Sequence, residues 1–293
     1  MRPFLVLGGS GFVGGHIVTA ASNACQTVVG TYHSFPVPDL LQLDIRDAKG
    51  LTALLSDLRP VVVFLPAACT DVDWCETHPE EAFQTNVDGV RLVTAAANSV
   101  DAKLVYISSD FIFDGTSGPY KETDVANPLS AYGRQKLSAE HHIALHARDY
   151  LIVRTTVVYG WEHREKNFVC RVIRSLAAGN SLLVPLDQVG TPTFAPNLAE
   201  VTVELALANA TGVFNVVGPE RVSRLRLAEE VAAIFGLDAR LLRGVTTSQL
   251  AQPAPRPLDA GLAPEKVSSI VRTRLVGYRE GLRAMAALRA SAP

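Results

Sequence analysis

Tyr132 and Lys136 stand four residues apart in the segment SAYGRQK. On a helix, side chains at i and i+4 share a face one turn apart, so the Lys136 ammonium can lie beneath the Tyr132 phenol. A free phenol has a pKa of about 10 and is a weak acid near neutrality; a fixed cation beside it favours the ionised form and moves it towards the working range. The pair therefore reads as a proton donor, Tyr132, and its tuner, Lys136. The same spacing arises on amphipathic helices where Tyr packs and Lys is solvated, so its meaning depends on what stands upstream.

Two upstream stretches bear on it. Residues 3–7, PFLVL, form a continuous apolar run suited to a parallel strand covered on both faces, and GGSGFVG follows at once. Gly8, Gly11 and Gly14 fall in a G-x-x-G-x-x-G arrangement, with Ser10, Phe12 and Val13 between them, and Gly14 leads into the helical pattern HIVTAASNA. Glycines there permit a tight turn, and the N-terminus of the helix offers unpaired N–H groups and a positive dipole end to a pyrophosphate. The second stretch is KLVYISS, a strand that delivers Ser108, Ser109 and Asp110 to the carboxyl end of a sheet, where doubly wound folds place their ligands.

Between these lie the remaining elements of a dinucleotide fold. QTVVGTYHS reads as a second strand whose end lacks the acidic residue that would hold the adenosine ribose and repel a 2′-phosphate. Thr31, Tyr32, His33 and Ser34 stand there instead, which favours NADP and leaves NAD open. LLQLDIRD gives a third strand ending at Asp44 and Ile45. Asp44 can reach an adenine amino group while Ile45 packs on the ring, or Asp44 can cap the following helix. VVVFLPAA leads to Ala67 and Ala68, small enough for backbone to lie close to a cofactor. HPEEAFQTNVDGVRLVTAAANS reads as one long helix, in which an inward-facing Asn86 would link to the active-site strand.

Composition narrows the function classes. The 293 residues are 48% hydrophobic and 19% charged, with 27 basic against 29 acidic side chains and no basic run. This is an ordinary globular balance without the positive field that nucleic acid or an anionic membrane requires. With no signal-peptide pattern and no apolar stretch of bilayer length, a cytoplasmic location is expected. Cys25, Cys69, Cys75 and Cys170 have no C-x-x-C spacing and read as reduced, packed thiols, not a metal site.

The combination of glycine turn, Ser-Ser-Asp strand end and Tyr-x-x-x-Lys resembles the extended short-chain dehydrogenase/reductase superfamily. More narrowly, YISSDFIFDGTSGPYKETDVANPLSAYGRQKLSAE resembles the active-site segment of the dTDP-4-dehydrorhamnose reductase family, with further matches at AACTDVDWCE, VRTTVVYG, NFV, DQVGTPT and RPLDAGL. The resemblance implies a Rossmann-like, doubly wound parallel sheet over residues 1–160, rejoined by a late strand near 212–218, and a smaller substrate-binding lobe over 161–293. It implies that Ser109 hydrogen-bonds the substrate carbonyl, Tyr132 donates the proton, and Lys136 binds the nicotinamide ribose. Asp110, Asn167, Asp187, Gln188, Thr193 and Arg256 become candidate grips on a nucleotide sugar, Arg256 on its diphosphate. The family's reductases more usually carry Thr at the Ser109 position. Ser-Ser-Asp also occurs in the related regulatory subunit of methionine adenosyltransferase, so a non-catalytic NADP-binding role is the alternative. Family members often dimerise; no motif here shows it, and a homodimer stays open.

Overall fold

The structure, a computed structural model, describes residues 2–24, 26–163 and 165–290. Cys25, one of the thiols read from the sequence, lies outside the described residues. Six strands follow the apolar runs: β1 (Phe4–Val6), β2 (Val28–Tyr32), β3 (Leu41–Gln42), β4 (Val62–Leu65), β5 (Lys103–Ser109) and β6 (Tyr150–Thr155). Together with the strand Gly212–Asn215 they form a seven-stranded sheet in the order β3-β2-β1-β4-β5-β6 and then Gly212–Asn215. Every pairing in it is parallel. The sheet is therefore a Rossmann-like doubly wound one, and the strand Gly212–Asn215 reaches it from late in the chain.

Burial on both faces explains the unbroken apolar runs. Phe4, Val6, Phe64 and Val105 point to one side, where they pack with Ile17 and Ala21 of α1 (Phe12–Asn23). Leu5, Leu65, Leu104 and Tyr106 point to the other. There they meet Leu51 and Leu55 of α2 (Ala48–Leu58) and, further along the chain, two helices that follow β4 and β5. Each fully buried Leu, Val or Phe contributes roughly 1.5–3 kcal/mol, so continuity of the runs is what holds the sheet.

The stretch read as one long helix runs on without a break, but it is not a regular α-helix throughout. After α3 (Val72–Thr77), α4 (Pro79–Phe83) passes into a wide turn over Gln84–Asp88 before α5 (Gly89–Ser99) resumes. Asn86 sits in that wide turn and is 1% exposed. It accepts from the Cys69 N–H at 2.8 Å and donates to the Cys69 carbonyl at 3.0 Å and to Gln135 Oε1 at 2.9 Å. The Asn86 side-chain amide thus faces inwards from the widened turn. The inward-facing Asn86 thus ties the end of β4 to α6 (Ala131–His146), the helix that carries Tyr132 and Lys136.

A second core lies beyond residue 156. Val169 and Ile173 of α7 (Phe168–Ala177) pack with Leu227 and Val231 of the helix Arg224–Phe235, and with Leu282 and Met285 of the C-terminal helix Tyr278–Ala290. The helix Ala195–Leu207, although in the second half of the chain, lies on α1 and buries Leu198 and Val201 under the sheet. No helix among the described residues is long and apolar enough to cross a membrane.

Candidate active site

The glycine turn closes tightly where β1 meets α1. A Cβ on Gly14 would lie 2.1 Å from the Gly8 carbonyl oxygen, so only glycine fits there. Thr31, at the end of β2, accepts from the Gly8 N–H at 3.1 Å and braces the turn. No side chain caps the N-terminus of α1. The turn between Gly8 and Gly14 therefore presents an open helix end to an anion of diphosphate size. Ala67 packs against Gly8 from the neighbouring strand end, and Phe12 lies against the backbone of Gly160.

At the far edge of the turn, Asp44 is engaged by two protein side chains. It pairs with Arg46 at 2.7 Å and faces His33 at 3.4 Å, and the Arg46 hydrogen bond holds its carboxyl below the usual range. The cap of α2 is Asp47, which accepts from the Lys49 N–H, so Asp44 is not the helix cap. Ile45 is 5% exposed and packs with Leu51 and Val90 in the helix-side core. Its side chain faces that core.

The sheet end and α6 converge one strand further on. Ser130 caps α6 by accepting from the Gly133 N–H at 3.2 Å, and Glu76 accepts from the Ala131 N–H at 2.7 Å. A Cβ on Gly133 would lie 2.1 Å from the Phe111 carbonyl oxygen, so glycine lets the first turn of α6 press against the Ser109–Phe111 corner. Tyr132 is thereby 7% exposed, with its ring edge-on to Phe111 at 5.7 Å. The Lys136 ammonium donates to the Ile107 carbonyl at 2.8 Å and lies 4.6 Å from the Tyr106 ring centre and 5.9 Å from that of Tyr132.

Burial dominates the proton chemistry of this cluster. It pushes the Tyr132 phenol well above its ordinary range, against the Ser109 hydroxyl hydrogen bond that works the other way. The drawing-down of Tyr132 by Lys136, expected from spacing, is not what the folded protein does. Desolvation instead lowers Lys136 to about 8, partly offset by the Glu140 carboxylate one turn further along. Tyr132 accordingly keeps its proton at neutral pH, the state a donor requires.

Asp110 is 5% exposed, and its carboxylate accepts from the Ser109 and Thr156 hydroxyls at 3.0 and 2.5 Å. Through the first of these bonds it orients the Ser109 hydroxyl. Burial raises its carboxyl to about 6 in spite of those donors. An unfolded Asp titrates near a pKa of about 3.9, so in the window between about 4 and about 6 the folded chain binds more protons and stability falls as pH rises. Asp110→Asn is expected to flatten this segment of the stability curve, followed as urea midpoints across the window. An unaltered slope would assign it to another group.

Several candidate grips are spent inside the fold. Asn167 caps α7: its Oδ1 accepts from the Cys170 N–H at 3.1 Å, while its Nδ2 donates to the Gly160 carbonyl at 2.9 Å and to Glu162 at 2.8 Å. Asp187 accepts from the Thr247 N–H and hydroxyl, and Gln188 donates to the same Thr247 hydroxyl at 3.1 Å. Thr193 is 3% exposed and donates to the carbonyls of Thr156 and Thr191. Asn167 thus ties the start of α7 to the Gly160 backbone, Asp187 ties its loop to Thr247, and Thr193 ties its segment to the continuation of β6. For the buried Thr193 such partners are obligatory, whereas Asn167 and Asp187 are part-exposed.

Arg256 lies beside the Phe111–Tyr132 pair. It pairs with Asp73 at 2.9 Å, and its guanidinium stands 5.9 Å from the ring centre of Phe111, the residue packed on Tyr132. Two further arginines, which sequence reasoning passed over as scattered charges, stand with it. Arg224 and Arg171 stack over the Phe168 ring at 5.0 and 5.7 Å. Burial lowers Arg224 to about 10, the Asp110 carboxylate opposes that, and Arg171 and Arg256 add to it. Three guanidiniums from separate segments thus share one field opposite the Ser109–Tyr132 corner, a surplus of positive charge suited to a polyanion. No sequence signal gathers them, because they lie on α7, on the helix Arg224–Phe235 and on a proline-flanked loop.

The RmlD substrate binding domain family matches residues 1–290. This chain belongs to that family. Among its relatives, it is 35% identical over 260 residues to a probable low-salt glycan biosynthesis reductase, Agl14, of Haloferax volcanii, covering 86% of each chain. It is 28% identical over 289 residues to the beta subunit of methionine adenosyltransferase 2 of Xenopus tropicalis, covering 96% of this chain and 86% of that one. The crystal structure of a dTDP-4-dehydrorhamnose reductase from Clostridium acetobutylicum superposes with a TM-score of 0.90 at 31% identity, covering 98% of this chain and 99% of the other. Named reductases and a methionine adenosyltransferase subunit thus stand together among its relatives.

Proposed function

We propose that the protein reduces the C4 ketone of a nucleotide-linked 4-keto-6-deoxy sugar with NADPH as the hydride source. The observation that carries this reading is the meeting of a protonated Tyr132, Ser109 and a buried Lys136 at the end of β5, with three arginines opposite. A nicotinamide cofactor held by the glycine turn would supply the hydride. Gly8, Ser10, Gly11, Phe12, Val13 and Gly14 would cradle its diphosphate, Ala67 and Ala68 would line its path, and Lys136 would reach its ribose. The end of β2 itself carries no acidic residue, which favours the 2′-phosphorylated form, and the nearby Asp44 carboxylate is paired with Arg46.

As the ketone is reduced, negative charge grows on its oxygen. The Tyr132 phenol donates to that oxygen and gives up its proton, and the Ser109 hydroxyl, which has one proton, turns it from Asp110 to the ketone oxygen as the charge grows. Asp110 holds Ser109 in place until the ketone binds. Arg256 and Arg224 would grip the diphosphate of the sugar nucleotide, a planar guanidinium engaging two oxygens at once.

The test is NADPH consumption with dTDP-4-keto-6-deoxy-L-mannose. If NADPH binds but no ketosugar in a panel oxidises it, the reductase reading fails. Arg256→Ala is expected to raise KM for the sugar nucleotide by about 10- to 100-fold with little change in kcat, since hydrogen bonds to charged groups contribute about 1.5–3 kcal/mol. Arg256→Lys should recover only part of this, and an equal loss in kcat would place Arg256 in the chemical step instead.

The methionine adenosyltransferase relative, aligned over 96% of this chain, and the Ser109 it meets in place of the usual Thr favour a second reading, an NADP-binding regulatory subunit. Stable co-purification with a catalytic synthetase subunit, unaffected by Tyr132→Phe, would select it.

A further inference from the structure

We propose that Cys69 and Cys75 form a peroxide-sensitive dithiol that closes to a disulfide and thereby switches off cofactor binding. Cys69 follows Ala67 and Ala68 in the loop after β4, and Cys75 lies on α3. Their sulfurs are 3.6 Å apart, with the Cys75 S–H donating to Cys69 Sγ and, at 3.6 Å, to the Cys69 carbonyl. Cys75 is fully buried and Cys69 half-buried, so a small oxidant reaches the second through the open side of the loop.

The environment divides the two roles. The thiol hydrogen bond from Cys75 draws Cys69 below the ordinary thiol range, and the Lys136 charge adds to it; Cys75, the donor, is held protonated. Cys69 is thus the nucleophile and Cys75 the resolving thiol. In the first step the Cys69 thiolate sulfur attacks a hydroperoxide oxygen. An S–O bond forms, the O–O bond breaks, and the departing hydroxide takes up the proton Cys69 released, leaving a sulfenic acid. In the second step Cys75 sulfur attacks Cys69 sulfur, the S–O bond breaks, and the hydroxyl leaves with the Cys75 proton as water. Two thiols and one peroxide give one disulfide and two waters, with the two electrons passing from sulfur to oxygen.

Closure has a mechanical consequence. A disulfide is about 2.05 Å long, so the sulfurs must approach by about 1.5 Å. The Cys69 backbone is clamped at both its N–H and carbonyl by Asn86, which also bonds Gln135, the neighbour of Lys136. Moving Cys69 therefore drags the Ala67–Ala68 wall, packed on Gly8, and disturbs α6. The effect on the cofactor rests on the reading of the glycine turn given above, whereas the thiol chemistry does not.

The experiment treats wild type and Cys75→Ala with hydrogen peroxide and then with dithiothreitol. Readouts are intact mass, peptide mapping and NADPH binding by nicotinamide fluorescence. The wild type is expected to lose two hydrogen atoms inside the peptide that carries both residues, and to lose NADPH affinity by about tenfold or more, a change of about 1.4 kcal/mol. Dithiothreitol should reverse both. Cys75→Ala should instead accumulate a dimedone-trappable sulfenic acid at Cys69. A disulfide that involves Cys170 or Cys25, or none at all, overturns the proposal. So does a Cys69–Cys75 disulfide with unchanged NADPH affinity. If the reduced protein binds no NADPH, the cofactor reading and the switch fall together, while the mapped peptide still decides whether the disulfide forms.

Discussion

Tyr132→Phe is expected to lower kcat for ketone reduction by about two to four orders of magnitude, the usual contribution of a positioned acid, while NADPH binding is retained. The substitution removes one oxygen and keeps the ring that packs edge-on to Phe111, so the fold should be undisturbed. What disappears is the proton that meets charge growing on the ketone oxygen. Because burial holds the phenol well above its ordinary pKa, Tyr132 stays protonated through the neutral range and sets no limb there. The alkaline limb of kcat/KM should instead follow Lys136, lowered to about 8 by desolvation, with activity falling above that value as the ammonium is lost. A Tyr132→Phe protein with undiminished turnover would remove the proton-donor role. A limb that survives in Lys136→Met would assign it elsewhere.

Glu140→Gln is expected to destabilise the protein by about 3–5 kcal/mol, the cost of leaving one member of a buried ion pair alone. Glu140 and Arg154 are 3% and 6% exposed, and the guanidinium meets the carboxylate at 2.7 Å, with further contacts at 3.1 and 3.2 Å. Arg154 also donates to the Glu122 carbonyl at 3.1 Å and lies over the Phe113 ring, so it has no route to water when its partner becomes neutral. Urea unfolding measures the loss. Glu140→Leu combined with Arg154→Met should recover most of it, because the penalty belongs to the unpaired charge and not to the missing bond. A second readout separates structure from chemistry. Glu140 is the leading charge that supports the Lys136 proton, so in Glu140→Gln the alkaline limb should move below about 8. A limb that stays in place would confine Glu140 to stability.

Short-range spacing made the framework legible. PFLVL followed by a glycine turn and a helix permits little but a strand, a phosphate-sized loop and an open helix end, because each step depends on neighbours within a few residues. Tyr132 and Lys136 are likewise fixed by one helical turn, and Ser109 by the end of a strand. The matching segments spread along the chain pointed to the family for the same reason: each is a local pattern.

Which polar groups remain available was decided only by the tertiary structure. Asn167, Asp187 and Thr193 sit on family segments, yet their atoms are taken by backbone and side-chain partners that only packing brings near. Arg171 and Arg224 look like scattered surface charges in sequence and become a shared field with Arg256 once three segments meet. The sense of the Tyr132 perturbation reversed because spacing states which charge is near, whereas desolvation depends on everything else packed around the phenol. Cys69 and Cys75 read as two unrelated packed thiols until the turn into α3 laid one sulfur against the other. A chain encodes adjacency along itself through its spacing; burial and the convergence of distant segments are properties of the completed core, and from them come the charges, acids and thiols that the site can use.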